Sequence, residues 1–119
     1  MTARGSPRTI FQRAIESQNL VVAELTLRAE IPRPTLEDLL DLTALIALKK
    51  PERFARVAGR WLLKYLEVAE DATVDEAAFV AVSLQALGGR HHGRALGSLR
   101  SLAEEAGRRR AHGGSPARR

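Results

Sequence analysis

Residues 35–50 read TLEDLLDLTALIALKK, and this stretch decides the fold class. Thr35 and Asp38 stand three residues apart, the spacing at which each side chain bonds the other residue's backbone N–H at a helix start. The acidic first turn and the closing Lys49-Lys50 pair both complement the helix dipole. No charge appears from Leu42 to Leu48, so we expect protein to surround this half of the helix.

Residues 51–70 predict the following helix, with Pro51 as its first residue. Apolar and aromatic side chains recur there at spacings of three and four, namely Phe54, Ala58, Trp61, Leu62, Tyr65 and Ala69. This spacing is typical of a helix with one buried face. We therefore expect the three aromatic residues of this set to belong to the core.

Two helices are predicted before residue 35. Ser6-Pro7 is a helix start for a segment over about 7–17, because Ser caps free amides and Pro has no N–H to leave unpaired. Asn19 can cap the next segment, over residues 20–31. That segment also shows the alternation of a half-buried strand, but a lone strand would have no partner, so the helix is favoured.

Two more helices are predicted after residue 70. Thr73 and Glu76 have the spacing of a full capping box, ahead of a helix over residues 74–87. Gly88-Gly89 follows as a C-cap pair. The last predicted helix covers about residues 92–106. With Leu, Ala and Val supplying the core, we predict an all-α protein of about six helices packed as three antiparallel hairpins.

The second and third predicted hairpins are similar at an offset of 38 residues. Thr35 falls on Thr73, Glu37 on Asp75, Asp38 on Glu76, Leu42 on Val80, Ile46 on Leu84 and Trp61 on Leu99. This resembles a tetratricopeptide-type array of α-hairpins over residues 7–106. The resemblance implies a concave surface that binds peptides or partner proteins. The other possible architecture is a compact irregular helical bundle, which we favour over the repeat array.

Net charge separates the folded part from the ends. The chain has 119 residues, with 19 basic and 14 acidic side chains. Arg4 and five tail arginines lie outside residues 7–106, which leaves 13 basic and 14 acidic side chains within that range. We therefore predict a single domain over 7–106, a disordered N-terminus over 1–6 and a disordered, Arg-rich tail over 107–119.

A cationic stripe is the sharpest surface feature. Its members, spaced three or four apart on the exposed side of the fourth predicted helix, are Arg53, Arg56, Arg60 and Lys64. They could dock phosphates or an acidic partner, or form an ordinary solvated face with Glu52 and Glu67. A helix-turn-helix with this helix in the DNA major groove is a further alternative.

The tail is the second basic cluster. Arg108, Arg109 and Arg110, with Arg118 and Arg119, could hold nucleic acid or an anionic membrane by charge alone. Such binding would depend on salt and lack sequence specificity.

No catalytic, cofactor or metal site is expected. Adjacent histidines such as His91-His92 point about 100° apart on a helix, with arginines beside them. Glu37, Asp38 and Asp41 lie on the first turn of a helix, where the dipole favours their ionised forms, so we interpret them as capping and solubility residues. The sequence therefore predicts a protein that is not an enzyme.

The hypothesis that follows is a small protein–protein interaction or scaffolding module. Its partner would be another protein, and the apolar surface of the third and fifth predicted helices suggests a homo-oligomer. The alternative is a nucleic-acid-associated accessory protein that uses the tail and the stripe. The lack of Cys, of a signal peptide and of a long apolar segment favours the cytoplasm, without membrane insertion. The excess of Arg over Lys suggests a GC-rich bacterial genome.

Overall fold

The computed structural model describes residues 5–113, and every regular element in that range is an α-helix. The six helices are α1 (Pro7–Glu16), α2 (Leu20–Glu30), α3 (Leu36–Lys49), α4 (Pro51–Val68), α5 (Val74–Ala86) and α6 (His92–Gly113). The predicted fold class is confirmed. Residues 20–30 form a helix and not a strand, because α2 buries one face against α1 and α3.

Side-chain caps begin α1, α2, α3 and α5 where the sequence predicts them. Ser6, Asn19, Thr35 and Thr73 each accept a hydrogen bond from the backbone N–H three residues on. The capping box of α3 is complete, since the Asp38 carboxylate accepts the Thr35 N–H at 2.9 Å. At the start of α5 the Glu76 carboxylate turns instead toward Tyr65 and Arg109.

The last four helices form an up-and-down bundle. Each of α3, α4 and α5 packs on the next helix, α6 returns to α3, and α4 touches α6 across the bundle. The centre of this bundle is fully buried and mostly aliphatic. Leu40, Tyr65, Val80, Leu87 and Leu99 all have no exposed surface there.

A second, smaller core joins the α1–α2 hairpin to the bundle. Phe11, Ala23 and Leu27 pack there against Leu45 and Ile46 of α3. Because α3 lies between the hairpin and the rest of the bundle, residues 42–47 are buried or half-buried, as their lack of charge predicts. Leu48, at the end of this stretch, is 49% exposed. The molecule measures 47 × 38 × 21 Å, and its thickness corresponds to two layers of helices.

The sixth helix is longer than predicted. It continues past Ala106 to Gly113, through part of the segment expected to be a disordered tail. The extension has tertiary contacts, because Arg109 binds Glu76 and Asp71, and Arg110 donates to the backbone carbonyl of Glu67. The remaining tail residues, 114–119, and the N-terminal residues 1–4 lie outside the described part of the chain. Their predicted disorder therefore stays a prediction.

Candidate binding groove between α2 and α4

A groove opens where α2 and α4 both pack on α3 and their backbones stay apart. The Cα atoms of α2 and α4 stay more than 8 Å apart, so part of the surface of α3 between them is left uncovered. The resulting cavity has a volume of about 320 Å³. Its floor is largely apolar and is formed by Leu39, Leu42, Thr43 and Ile46 of α3 with Val57 and Trp61 of α4.

The polar atoms of the floor are already paired within the protein. The Thr43 hydroxyl donates to the backbone carbonyl of Leu39 at 2.8 Å. Trp61 is only 2% exposed, and its indole N–H donates to the Leu36 carbonyl at 3.0 Å. The Trp61 ring also packs against Tyr65, with ring centroids 5.6 Å apart. A ligand on this floor would therefore make apolar contacts, since no floor group named here needs a new hydrogen bond.

The rim of the groove carries four cations and one carboxylate. The lining side chains are Arg28 and Glu24 from α2, and Arg53, Arg60 and Lys64 from α4. Three of the four stripe residues predicted to bind an anionic partner thus line one cavity. Arg56 is also exposed on α4, but it does not line the groove.

Glu24 and Arg53 close one part of the groove with an ion pair. Both Arg53 Nη atoms donate to the Glu24 carboxylate, at 2.6 and 3.3 Å, and Arg28 approaches the same carboxylate at 3.4 Å. The hydrogen bond from Arg53 lowers the pKa of Glu24, and the same bond raises the pKa of Arg53. Both groups therefore stay charged at neutral pH. Arg60 makes no ion pair within residues 5–111, and Lys64 has only a loose one with Glu67, at 3.6 Å.

The tail arginines in the described part of the chain, Arg108, Arg109 and Arg110, contact three different helices. Arg109 points toward α5, where it binds Glu76 at 2.9 Å and Asp71 at 3.6 Å. Arg108 pairs with Glu105 on its own helix. Arg110 lies against α4, where its Nη1 donates to the Glu67 carbonyl at 3.1 Å, one turn beyond Lys64.

Two aspartates of α3 have a role that the sequence analysis missed. Asp38 and Asp41 are buried, and both were interpreted as capping or solubility residues. Asp38 does cap α3, but it also accepts two hydrogen bonds of 2.7 Å from Arg8 of α1. Asp41 pairs with Arg100 of α6. Arginines on different helices cannot be assigned to these carboxylates from sequence spacing.

The histidines and carboxylates show no arrangement for metal binding in the described residues. The His92 ring Nδ1 lies 2.6 Å from the Leu87 carbonyl, next to the end of α5. Likewise, none of the helices described here is long and apolar enough to cross a membrane.

Glu24 and the α3 floor were not predicted as site residues. The weak signals available were the i,i+4 pair of Glu24 and Arg28, and the spacing of Leu39, Leu42 and Ile46 by three and four. Comparisons of the chain with protein-family models, curated proteins and solved structures found no match.

Proposed function

We propose that this protein is a non-enzymatic protein–protein interaction module, and that it binds a segment of a partner protein in the groove between α2 and α4. The observation that carries the proposal is the pairing of an apolar floor with a cationic rim in one cavity. Binding sites in proteins commonly combine an apolar surface with a few charged groups that fix orientation. The proposed partner segment is therefore apolar on one side and acidic at its edges.

The dimensions of the groove favour a helical segment. Arg53 and Lys64 are separated by three turns of α4, or about 16 Å at 1.5 Å per residue. An amphipathic helix of similar length would place apolar residues at i, i+3 or i+4 and i+7 on the floor. Acidic residues of the partner helix on either side of these apolar residues would then face Arg28, Arg60 and Lys64.

Apolar and charged contacts would have different roles in this complex. Burial of apolar surface on the half-buried Leu39, Leu42 and Val57 would supply most of the affinity. The exposed cations of the rim would mainly speed association and select acidic partners. The resemblance to tetratricopeptide arrays also implies a concave surface that binds peptides or partner proteins, and that implication is part of this proposal. A location in the cytoplasm of a bacterium is part of it too.

Trp61 is the chain's single tryptophan and provides a direct measurement. The probe is a peptide of ~15 residues, long enough for about four helical turns, with Leu along one face and Glu at its edges. We expect the peptide to change the emission of Trp61 with a Kd in the micromolar range, about −8 kcal/mol. The control is the same peptide with Lys in place of Glu, which should bind at least about tenfold more weakly.

The stripe offers a matched pair of variants. Arg60→Glu reverses a charge inside the groove, whereas Arg56→Glu makes the same change four residues away on the same helix and outside it. Arg60→Glu should raise the Kd of the acidic peptide by about tenfold or more, and Arg56→Glu by much less. Equal effects of the two variants, or equal binding of the Glu and Lys peptides, would contradict the proposal.

The second candidate function is binding of nucleic acid by the stripe together with the tail. The observation that favours it is the position of Arg110, which α6 brings to Glu67, one turn beyond the Lys64 end of the stripe. In that case a random DNA duplex should bind with strong salt dependence between ~50 and ~200 mM. Arg56→Glu and Arg60→Glu should then weaken duplex binding to a similar extent, because both cations are exposed to a long phosphate backbone.

A further inference from the structure

A second groove lies on the other side of α4, between α4 and α5. Its cavity has a volume of about 490 Å³. The floor is formed by Phe54, Ala58 and Leu62 of α4 with Ala81 and Leu84 of α5, and Gly88-Gly89 lies at one end. The residues that line this groove carry no charged side chain, in contrast to the groove between α2 and α4.

Both edges of this groove are also mostly apolar, and Gln85 of α5 is the polar residue that lines it. On α4 the edge consists of Ala55, Gly59 and Leu63, spaced by four residues, and Leu63 is 65% exposed. On α5 the edge consists of Val74, Ala78 and Val82, with the same spacing. The groove and its two edges together form one surface, the α4–α5 face.

We propose that the α4–α5 face binds the same face of a second copy of this chain, related by a two-fold axis. A two-fold interface uses one patch on both subunits, so that patch must hold both protruding and recessed parts. The α4–α5 face does so, because Val82 protrudes beside a groove edged by the small residues Ala55 and Gly59. Val82 of each copy would pack against the α5 edge of the other copy.

The distribution of charge at the ends of the face favours this occupant. Arg56 and Arg90 outnumber Glu52 near the end where α4 begins and α5 finishes, and Glu67 and Asp75 lie near the opposite end. A two-fold axis that lies in the plane of the interface and perpendicular to the groove reverses the direction of the groove in the second copy, so that α4 lies along α4 and α5 along α5. The basic end of each copy then lies over the acidic end of the other, and the uncharged middle meets itself.

Gly59 is consistent with a close approach of a second helix at this point. A Cβ atom added at Gly59 would meet no atom within 4 Å, so nothing in the described chain requires glycine there. Glycine inside a helix is unfavourable compared with alanine. Its absence of a side chain does allow the backbone of another helix to come close, as small residues do at tight helix contacts. This inference concerns a different surface from the proposed function and does not depend on it.

The first test is the mass of the full chain by sedimentation from ~1 to ~100 µM, concentrations at which micromolar self-association is visible. The wild-type chain should form a dimer in this range. Val82→Glu places an unpaired charge in the proposed interface and should raise the dimer Kd by about 100-fold. The matched control is Val21→Glu on α2, since Val21 and Val82 are exposed to similar degrees, 68% and 64%.

A second variant tests the groove without adding charge. Gly59→Leu fills its edge, and far-UV circular dichroism should show an unchanged helical fold because the added atoms have open space. The dimer Kd should again rise by at least about tenfold. Gly97→Leu makes the same change at an exposed glycine of α6 that also has open space above it, and it should leave the Kd unchanged.

Three results would overturn the proposal. The first is a wild-type chain that stays monomeric across the whole range. The second is a dimer that persists in both Val82→Glu and Gly59→Leu, or that weakens equally in the two control variants. The third is growth beyond the dimer, because a two-fold interface is closed once two copies have met.

Discussion

Asp41 and Arg100 are the pair of residues that most directly connects α3 with α6. The Asp41 side chain is only 7% exposed, whereas Arg100 keeps 40% of its side-chain surface in solvent. Asp38 and Arg8 form the corresponding pair between α3 and α1, with exposures of 5% and 50%. The buried carboxylates thus hold the first two turns of α3 to helices on two sides.

The burial of Asp41 predicts that loss of its partner, Arg100, costs more stability than loss of an exposed arginine on the same helix. Arg100→Ala leaves the Asp41 carboxylate buried without its partner, and we expect it to lower the free energy of unfolding by about 3 kcal/mol. Arg94→Ala removes an exposed arginine from the same helix and should change the stability by less than about 0.5 kcal/mol. Urea denaturation of both variants measures the difference, and similar losses would show that the Asp41 pair is not structural.

Tyr65 and Glu76 predict how stability depends on pH. The Tyr65 hydroxyl donates to Glu76 at 2.5 Å, and Arg109 donates to the same carboxylate at 2.9 Å. These hydrogen bonds lower the pKa of Glu76, while burial, together with the bond to Glu76, raises the pKa of Tyr65. A lowered carboxyl pKa stabilises the fold above the unfolded value of about 4.3 and is lost as pH falls. A raised Tyr pKa stabilises it below about 10 and is lost as pH rises.

Two conservative variants each remove one ionisable group of this network. Glu76→Gln should flatten the loss of stability below about pH 4.3, leaving a smaller slope from carboxylates such as Glu24. Tyr65→Phe should flatten the loss above about pH 10 and cost about 1 kcal/mol at neutral pH. Chemical denaturation between about pH 3 and 11 gives both slopes. Unchanged slopes in both variants would show that this network does not govern the pH dependence.

At the scale of elements, helix starts were the most predictable feature. Ser6, Asn19, Thr35 and Thr73 cap helices through bonds that span three residues, so the sequence contains all the information required. The end of α6 was wrongly predicted for the opposite reason. Residues 107–113 have no apolar face, and the extension depends on Glu67, Asp71 and Glu76, which are distant along the chain.

The groove between α2 and α4 could be predicted from the sequence only in part, for a similar reason. The stripe of Arg53, Arg60 and Lys64 follows from helical spacing on α4 alone. Its position beside an apolar floor depends on how far α2 and α4 are separated over α3, and no local pattern encodes that distance. Phe54 is another example, because it shares the helical face of Trp61 and Tyr65 yet is half-buried along the α4–α5 groove.

The extension of α6 predicts a result for shortened chains. A chain ending at Ala106 loses Arg109 and leaves the half-buried Glu76 without its cation, so we expect a loss of about 2 kcal/mol, typical of a charged hydrogen bond. Arg109→Ala in the full chain should show a similar loss. A chain ending at Gly113 keeps all the described helical contacts and serves as the control. Equal stability of all three variants and the wild type would contradict a structural role for residues 107–113.

At the scale of the whole molecule, α4 has a different surface on each side. The cation-rimmed groove lies between α4 and α2, and the apolar α4–α5 face lies beyond the opposite side of the same helix. Under the two proposals above, one copy of the chain would bind a partner segment and a second copy at once. A dimer formed in this way would present two cation-rimmed grooves, each for one acidic segment. Two linked sites raise the overall affinity for a partner that carries two such segments.

The two hydrophobic cores predict how the molecule unfolds. The smaller core holds the α1–α2 hairpin on α3 around Phe11, and the larger one fills the α3–α6 bundle around residues such as Leu99. Phe11→Ala should remove about 4 kcal/mol from the smaller core. Because the bundle closes on itself through α6 and α3, we expect hydrogen exchange to show lost protection in α1 and α2 while α4–α6 stay protected. Leu99→Ala should instead reduce protection in all four helices of the bundle. If Phe11→Ala lowers protection equally in all six helices, the two cores unfold as one cooperative unit, and α3 couples them more strongly than their separate packing indicates.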